Sequence, residues 1–402
     1  MRAIRTGKKG ARMLAGLGMG LALGLTLGLV LTPGNASAEP YFTVRDGVRC
    51  STCHVNRTGG FKRTAYAQVY MQTRMTADAG GGHMEYPRLY HGQINEFISI
   101  GADIRAAANW YKDEESPDSN WQFDRPREVC KSCHGNYDGK RAEYYVQLEP
   151  LPGRASLVFG QNLLHTSGVS PTREAYALVE NMPANGYVKI GTFRLHTGLN
   201  NTFDNPFLHG EASGGRLVPV WSSMRGQGME LGFEPGSFSV SFNITNPLDP
   251  VKVPKGKRIG WNAYAVLDPL TLGMVSYRDP MDDEKERRIT GYYAGLALGR
   301  FTMLAEVDTL STPEDGGAVK EKAWLGEVNL LLTRGHNIKL QYEAHDPDTG
   351  APENIHDRTG FIYEPFITRY LQMRFGTRLR HGPHETQENN GREYFIETHM
   401  MY

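Results

Sequence analysis

Two short segments contain all four cysteines of the chain, and each segment ends on a histidine. They span residues 50–54 and 130–134 and share one spacing: cysteine, two other residues, cysteine, histidine. Two thiols at this spacing can reach the same ligand, and the imidazole beside them adds a nitrogen that binds metals. Thiol and imidazole chemistry is therefore the first function to consider for this sequence.

This spacing predicts two covalently attached haem c groups. Each thiol adds to one vinyl group of the haem, and the histidine lies beneath the iron as its proximal ligand. The residues concerned are Cys50, Cys53 and His54 in the first segment and Cys130, Cys133 and His134 in the second. A local disulfide, a redox dithiol and half of a zinc site are the alternatives for each pair. A zinc site shared by all four cysteines would leave both histidines unexplained.

A haem iron can take a sixth ligand, and several histidines are candidates for that position. His83 and His91 follow the first segment, with Met71, Met75 and Met84 as weaker candidates. His165 and His196, and after them His209, are candidates for the second haem because they fall at the outer rim of the strand-rich region described below. The alternative for each of these histidines is that it is a solvated loop residue and not a haem ligand.

Residues 1–38 have the pattern of a secretory signal peptide. Basic residues precede a run rich in Leu, Gly and Ala from about Leu14 to Leu31, and Ala36-Ser37-Ala38 fits the small-residue cleavage rule. We expect an exported chain that begins near Glu39, with a retained membrane anchor as the alternative. The formal net charge is zero. The chain therefore lacks the strong positive electrostatic field that would indicate a nucleic-acid partner.

From residue 93 to residue 402, strand-like segments follow one another, and short turns alternate with long polar loops. The short turns fall at 150–153, 183–186, 234–236, 268–270, 299–300, 334–335 and 364–366, and the loops at 111–141, 164–172, 196–226, 245–258, 279–287, 311–320, 346–356 and 381–391. Outer-membrane barrels have this asymmetry. The pattern predicts a mainly β protein, a transmembrane barrel of about sixteen antiparallel strands with both chain ends on the periplasmic side.

The two faces of these strands differ in polarity. Leu340 and Tyr342 alternate with Lys339, Gln341 and Glu343, and the last ten residues alternate in the same way. We expect the apolar face to contact lipid and the polar face to line the lumen. A large soluble β-protein is the alternative, in which the apolar face would point inward. No run of eighteen apolar residues follows the leader, which excludes a bundle of transmembrane helices.

Three units follow from these patterns. Residues 1–38 form the leader, and residues 39–92 form a small haem unit or plug with a helix over Lys62–Met75. Residues 93–402 form the barrel, whose first external loop, 111–141, carries the second haem motif. The two motifs would then lie toward opposite faces of one membrane.

With its leader, its motif at Cys50–His54 and its strand-rich remainder, the chain resembles the fused cytochrome c–porin proteins of bacterial outer membranes, which include iron oxidases. The resemblance implies a sixteen-stranded barrel, His54 as proximal ligand, and electron exchange with extracellular donors or acceptors. The iron-oxidase members carry one haem, whereas this chain adds Cys130–His134. That departure favours a two-haem relay over direct contact between iron and a lumen haem.

The sequence therefore predicts an outer-membrane diheme cytochrome that conducts electrons between periplasmic carriers and extracellular iron, other metals or surface cytochromes. It offers no general acid or base, and bond chemistry beyond metal oxidation or reduction is not expected. A diffusion porin whose haem units form a plug or redox sensor is one alternative. A haem enzyme that reduces peroxide or a small oxyanion is another.

Overall fold

The computed structural model describes residues 39–77, 91–113, 120–123, 142–163, 172–199, 225–247, 256–281, 285–314, 316–352, 354–382 and 391–401. Among them, seventeen strands form one antiparallel sheet that closes into a barrel. The strands are β1 (Ile98–Asp113), β2 (Asn120–Phe123), β3 (Ala142–Leu151), β4 (Ala155–Asn162), β5 (Thr172–Met182), β6 (Gly186–Arg194), β7 (Arg225–Phe233), β8 (Phe238–Pro247), β9 (Arg258–Val266), β10 (Leu270–Pro280), β11 (Glu286–Leu298), β12 (Phe301–Glu314), β13 (Gly317–Thr333), β14 (His336–Asp346), β15 (His356–Thr368), β16 (Leu371–His381) and β17 (Gly391–Met401).

The barrel closes where its first strand meets its last. Residues from Asp103 to Asp113 of β1 pair with β17. On its other edge, β1 pairs with β3 from Ile98 to Ile104 and with the short β2 from Ala108 to Tyr111. Because β2 and β3 share one edge of β1, the seventeen strands give a wall of sixteen strand positions. The predicted sixteen-stranded antiparallel barrel is confirmed.

Polar and apolar side chains alternate between the inside and the outside of this wall. On β14, Lys339 and Glu343 point inward and are 0% and 1% exposed, whereas Leu340 is 53% exposed on the outer surface. On β17, Glu397 is buried and Met400 is exposed. The predicted division of faces is confirmed, and it is the reverse of the division in a soluble β-protein.

Short and long connections lie at opposite ends of the barrel. Seven connections of two to four residues join β3 to β4, β5 to β6, β7 to β8, β9 to β10, β11 to β12, β13 to β14 and β15 to β16. The start of β1 and the end of β17 lie at the same end, where the Met401 N–H donates to the carbonyl of Tyr370 in a short turn. We call this the short-turn end and the opposite end the long-loop end.

One predicted long loop, at 311–320, is wrong. The strands β12 and β13 pair as far as Glu314 and Gly317 and reverse in a tight turn. Gly317 has φ +133°, a conformation that favours glycine. The segment is polar because inward positions such as Thr312 and Glu321 are buried in the lumen, not because it is a loop. Similarly, the segment 111–141 contributes the end of β1 and all of β2.

Residues 39–77, which we call the plug, lie inside the barrel. They form α1 (Pro40–Arg45), α2 (Cys50–Cys53), α3 (Ala65–Tyr70) and a π-helical turn (Met71–Met75). The helix predicted from Lys62 starts later, because the hydroxyl of Thr64 accepts the Ala67 N–H at 3.2 Å and caps α3. No helix among the described residues is long and apolar enough to span a bilayer.

The plug is bonded to the wall next to the short turns. The Arg45 guanidinium donates to Thr302 and Asn337, both at 3.2 Å, and the Ala77 N–H donates to the carbonyl of Phe366 at 2.9 Å. The apolar residues of α1 and the π-helical turn pack against inward residues of the barrel and form one of its two buried clusters. The plug is therefore anchored to the wall at the short-turn end of the lumen.

Candidate functional site

The first cysteine motif lies on the shortest helix of the plug. Helix α2 is a single turn, closed by the His54 N–H, which donates to the carbonyl of Cys50 at 2.9 Å. Residues three apart on a helix are neighbours on one face, so both thiols point to the same side. Cys50 and Cys53 are both free thiols. The local fold thus presents two thiols and one imidazole together.

One carboxylate of the wall holds this motif in place. Glu234, in the short turn between β7 and β8, is 2% exposed. Its Oε2 accepts hydrogen bonds from Ser51 at 3.0 Å and from Arg57 at 2.8 Å, and its backbone carbonyl accepts from Arg49 at 2.7 Å. Arg57 also pairs with Glu180 at 2.9 Å. Residues on both sides of the cysteine pair are therefore tied to the barrel.

A reversal of the chain follows His54. Gly59, Gly60 and Phe61 all have positive φ values, of 93°, 85° and 56°. The reversal returns the chain beside the motif, where the Val55 N–H donates to Lys62 at 2.9 Å and the Thr64 N–H donates to Cys53 at 3.0 Å. Glycine is needed here because two successive residues adopt a conformation that disfavours a Cβ.

A cavity of about 850 Å³, including the part open to solvent, lies beside the motif. Cys50, Cys53 and His54 line it, together with aromatic residues of the plug and residues of the wall. The further lining includes Phe42, Gly59, Gly60, Phe61, Arg63, Tyr66, Tyr70, Asp103, Tyr145, Arg194 and Leu199.

Burial determines the protonation of the three motif residues. It raises the pKa of Cys50 to about 12 and that of Cys53 to about 11, so both groups are neutral thiols. Burial, with a smaller contribution from the nearby Arg63, lowers the pKa of His54 to about 3. The imidazole is therefore neutral, which is the form that binds metals.

The donor set fits a haem c. His54 Nδ1 is buried and has no hydrogen-bond partner among the described residues, so a ring nitrogen is left for other chemistry. Two thiols on one helical face lie beside a cavity with aromatic and glycine walls. Arg63 and Arg194 also line the cavity and could pair with propionates. No group of three or more His, Cys, Asp or Glu within the described ranges could hold a metal ion without a macrocycle.

The other predicted site residues are placed differently. The second motif, with Cys130, Cys133 and His134, lies outside the described residues, as do His83, Met84, His165 and His209. His91 is exposed and lines a second cavity that also contacts His54. Met71 and Met75 are 1% and 2% exposed in the plug core, and neither lines the cavity beside the cysteine motif.

His196 lies deep in the lumen and not at the rim, where the strand pattern placed it. Its ring stacks on Tyr264 and Tyr293, with centroid distances of 5.8 and 5.9 Å. The chain after β6 folds inward here, and the Leu199 N–H donates to Glu306 of β12 at 2.9 Å. Leu199 forms part of the cavity wall. Sequence reasoning missed this inward segment because a loop residue and a lumen residue have the same polar surroundings in the sequence.

Sequence reasoning also missed the wall residues that hold the plug. Besides Glu234, two wall residues bond the side chain of Asn56. The carboxylate of Glu174 accepts a hydrogen bond from the Asn56 amide N–H at 2.6 Å, and the Lys189 ammonium donates to the oxygen of that amide at 2.7 Å. Their only sequence signal is that a charged residue stands at an inward strand position. That signal is shared by every lumen residue of the barrel, so it does not single out these side chains.

Solved structures with the same barrel are porins. An anion-selective porin from Comamonas acidovorans superposes with a TM-score of 0.58 and 11% identity, over 76% of this chain and 99% of that chain. OmpF of Salmonella typhi in complex with daunomycin gives 0.54 at 9% identity, and OmpT of Vibrio cholerae gives 0.53 at 10%, each over 76% of this chain and 97% of that chain. No family model and no curated protein matches the sequence. At these identities the likeness shows the fold alone.

Proposed function

We propose that this protein is an outer-membrane cytochrome–porin that conducts electrons through a barrel. In this proposal the chain holds two covalent haem c groups and connects periplasmic carriers with extracellular iron, other metals or surface cytochromes. The observation that carries the proposal is the position of the Cys50–His54 motif, which lies inside a closed barrel and beside a cavity that Cys50, Cys53 and His54 line.

The outer surface of the barrel supports a place in a lipid bilayer. Large apolar side chains are exposed on many strands, among them Ile190, Phe242, Tyr292, Leu340 and Met400, at 40% to 55%. A closed barrel leaves no unpaired strand edge, which is what a strand-built protein needs in hydrocarbon. The leader and the porin fold are consistent with the outer membrane of a bacterium.

Residues of the chain have separate roles in the proposed site. Cys50 and Cys53 form the thioethers, the neutral His54 imidazole supplies a nitrogen ligand, and Glu234 positions the helix that carries them. The aromatic side chains Phe61, Tyr66 and Tyr145 line the cavity and would contact the haem. The bound haem would supply one-electron exchange at its iron.

The position of the second motif supports a relay across the membrane. Strand β1 ends at Asp113 and β3 begins at Ala142, both at the long-loop end, and the motif Cys130–His134 lies in the chain between them. The first motif lies in the plug at the short-turn end. In this proposal the first haem serves the short-turn end, and the haem of the second motif, which precedes β3 in the chain, serves the long-loop end.

Two observations favour other functions. The likeness to porins favours a diffusion channel, in which the haem units would be a plug or a redox sensor. Among the described residues that line the cavity, no methionine and no histidine besides His54 is found. An open iron position would favour a haem enzyme that reduces peroxide or a small oxyanion.

Reconstitution in liposomes tests these functions against one another. A reductant is trapped inside vesicles that contain the protein, a ferric chelate is added outside, and its reduction is followed. A conductor reduces the chelate, and both the Cys50→Ser/Cys53→Ser and the Cys130→Ser/Cys133→Ser variants lose this activity.

A diffusion porin gives a different result, because reductant would leak equally through wild type and both variants. A haem enzyme would consume peroxide or nitrite and would leave the external chelate oxidised. Either result would overturn the proposal.

A further inference from the structure

A second cavity of about 630 Å³, including the part open to solvent, shares His54 and Arg63 with the first. It lies between the plug and the wall, near the short-turn end. Its lining is strongly polar. The ionisable groups among the lining residues are Arg57, Lys62, Arg63 and His91 on the basic side and Glu149 and Glu180 on the acidic side.

Lys62 is a buried cation in this lining. Its side chain is 2% exposed, and its ammonium donates one hydrogen bond, to the backbone carbonyl of Arg63 at 3.0 Å. An ammonium group has three donors, so two of them have no acceptor within the described part of the chain. Burial of a cation without an anion is costly.

The two arginines of the cavity form ion pairs. Arg57 pairs with Glu180 at 2.9 Å, and Arg63 pairs with Asp103 at 3.4 Å. Glu149 accepts the Gly153 N–H at 3.2 Å, and its charge acts on Lys62 without a direct contact. Lys62 is therefore a buried cation that forms no ion pair with any described carboxylate.

Neutral donors surround the same space. The Ser99 hydroxyl donates to Gln147 Oε1 at 3.2 Å, which leaves the amide N–H groups of Gln147 for another acceptor. The backbone at Gly92 covers Lys62 from one side, since a Cβ at Gly92 would lie 3.6 Å from Lys62 Nζ. The cavity thus combines a fixed buried cation with polar walls.

We propose that this cavity is an anion site, in which the Lys62 ammonium binds a carboxylate or a small oxyanion. Two sources have this chemistry. One is a diffusible anion such as inorganic phosphate, which does not depend on the proposed function. The other is a haem propionate, which rests on the proposed function. In both cases the anion supplies the charge and the acceptors that Lys62 lacks.

Calorimetric titration with inorganic phosphate, at constant ionic strength and on the full-length protein in detergent, tests the site. For a diffusible anion, wild type binds phosphate, Lys62→Met weakens its affinity at least tenfold, and Lys62→Arg keeps it within threefold. Lys257→Met serves as the matched control, because Lys257 is exposed outside the plug, and its affinity should equal that of wild type. Circular dichroism checks the fold of each variant, and Lys62→Gln replaces Lys62→Met if the latter misfolds.

The variant Cys50→Ser/Cys53→Ser, which cannot attach a haem in the plug, separates the two sources. If a propionate fills the site, wild type binds no phosphate. The cysteine variant then binds phosphate, and adding Lys62→Met to it abolishes that binding. Binding that depends on Lys62 in the cysteine variant supports the site even if the electron conduction proposed above fails. The site is overturned if neither form binds phosphate, or if Lys62→Met binds it as tightly as its parent.

Discussion

Glu234 shows how one side chain of the wall can hold the cysteine motif of the plug in place. It lies in a short turn of the wall, and its carboxylate receives hydrogen bonds from Ser51 inside the cysteine motif and from Arg57 just after it. Asn185 of a neighbouring turn adds a third donor at 3.4 Å. Because the carboxylate is buried, these bonds are not screened by water, and the motif is held at a fixed distance from the wall.

We predict that Glu234→Gln loosens the plug. The amide keeps the shape of the carboxylate but removes its charge, and Arg57 then loses one of two anionic partners. A buried hydrogen bond to a charged group contributes about 1–3 kcal/mol, so the free energy of unfolding of the plug should fall by that amount. Denaturant titration, followed by the absorption of the haem at Cys50–His54, measures it in a Cys130→Ser/Cys133→Ser background.

Glu286→Gln is the control for this substitution, because Glu286 is exposed on β11. Its midpoint of unfolding should match that of the parent protein. If Glu234→Gln and Glu286→Gln unfold at the same denaturant concentration, Glu234 does not position the motif.

At the scale of elements, the inward segment 195–199 closes the cavity from the long-loop side. Leu195, His196 and Leu199 are buried, and Gly198 has φ +75°. An ideal Cβ on Gly198 would lie 1.7 Å from Glu306 Oε1, and Oε2 of the same carboxylate accepts the Leu199 N–H. The glycine therefore serves two needs, the backbone conformation and the close approach of the wall.

Gly198→Ala should release this segment from the wall. The substitution strains the backbone and moves the Glu306 carboxylate, so the Leu199 N–H loses its acceptor. We expect hydrogen exchange in the peptide that contains Leu199 to rise at least tenfold, which corresponds to about 1.4 kcal/mol of local stability. Mass spectrometry of exchanged peptides measures this.

Gly316→Ala provides the matched control, because an ideal Cβ there meets nothing within 4 Å. Exchange near Leu199 should be unchanged in this variant. An unchanged rate in Gly198→Ala as well would show that the segment is not held by the contact with Glu306.

The sequence allowed the strands to be predicted but not the contacts inside the barrel. Polar and apolar residues alternate with a period of two, as in Lys339, Leu340 and Gln341, and this period is typical of a strand whose two faces differ in polarity. The turn at Gly317 was missed because polar inward residues on its two strands look like a loop. The bonds of Arg57 and Glu234 join residues far apart in the sequence, and no local pattern encodes such a pairing. The cysteine motif, by contrast, is local and could be read directly.

At the scale of the whole molecule, many charges that face the lumen in the described part of the wall form ion pairs. On the wall, Arg374 pairs with Glu364 at 2.9 Å and with Glu397 at 3.2 Å, and Arg358 pairs with Glu343 at 2.8 Å. The plug occupies part of the space that a sixteen-stranded porin leaves for water. The barrel therefore encloses the plug and separates it from lipid.

Removal of the plug should open the barrel. We predict that deletion of the plug, residues 39–77, raises the single-channel conductance in planar bilayers several-fold, because the plug then no longer occupies the lumen. The variant Cys50→Ser/Cys53→Ser keeps the plug without its haem attachment, and its conductance should stay as low as that of wild type. Equal conductance for the deletion and wild type would contradict the position of the plug.

We propose that one membrane barrel holds two haems, one attached to its plug and one attached to the segment between β2 and β3. Intact-mass measurement of the protein extracted from outer membranes, with mapping of the haem-bearing peptides, shows whether both are present. We expect two haem additions, at Cys50/Cys53 and at Cys130/Cys133, and one fewer in each cysteine-pair variant. A mature chain with fewer than two haem additions, or one found in the soluble fraction, would contradict it.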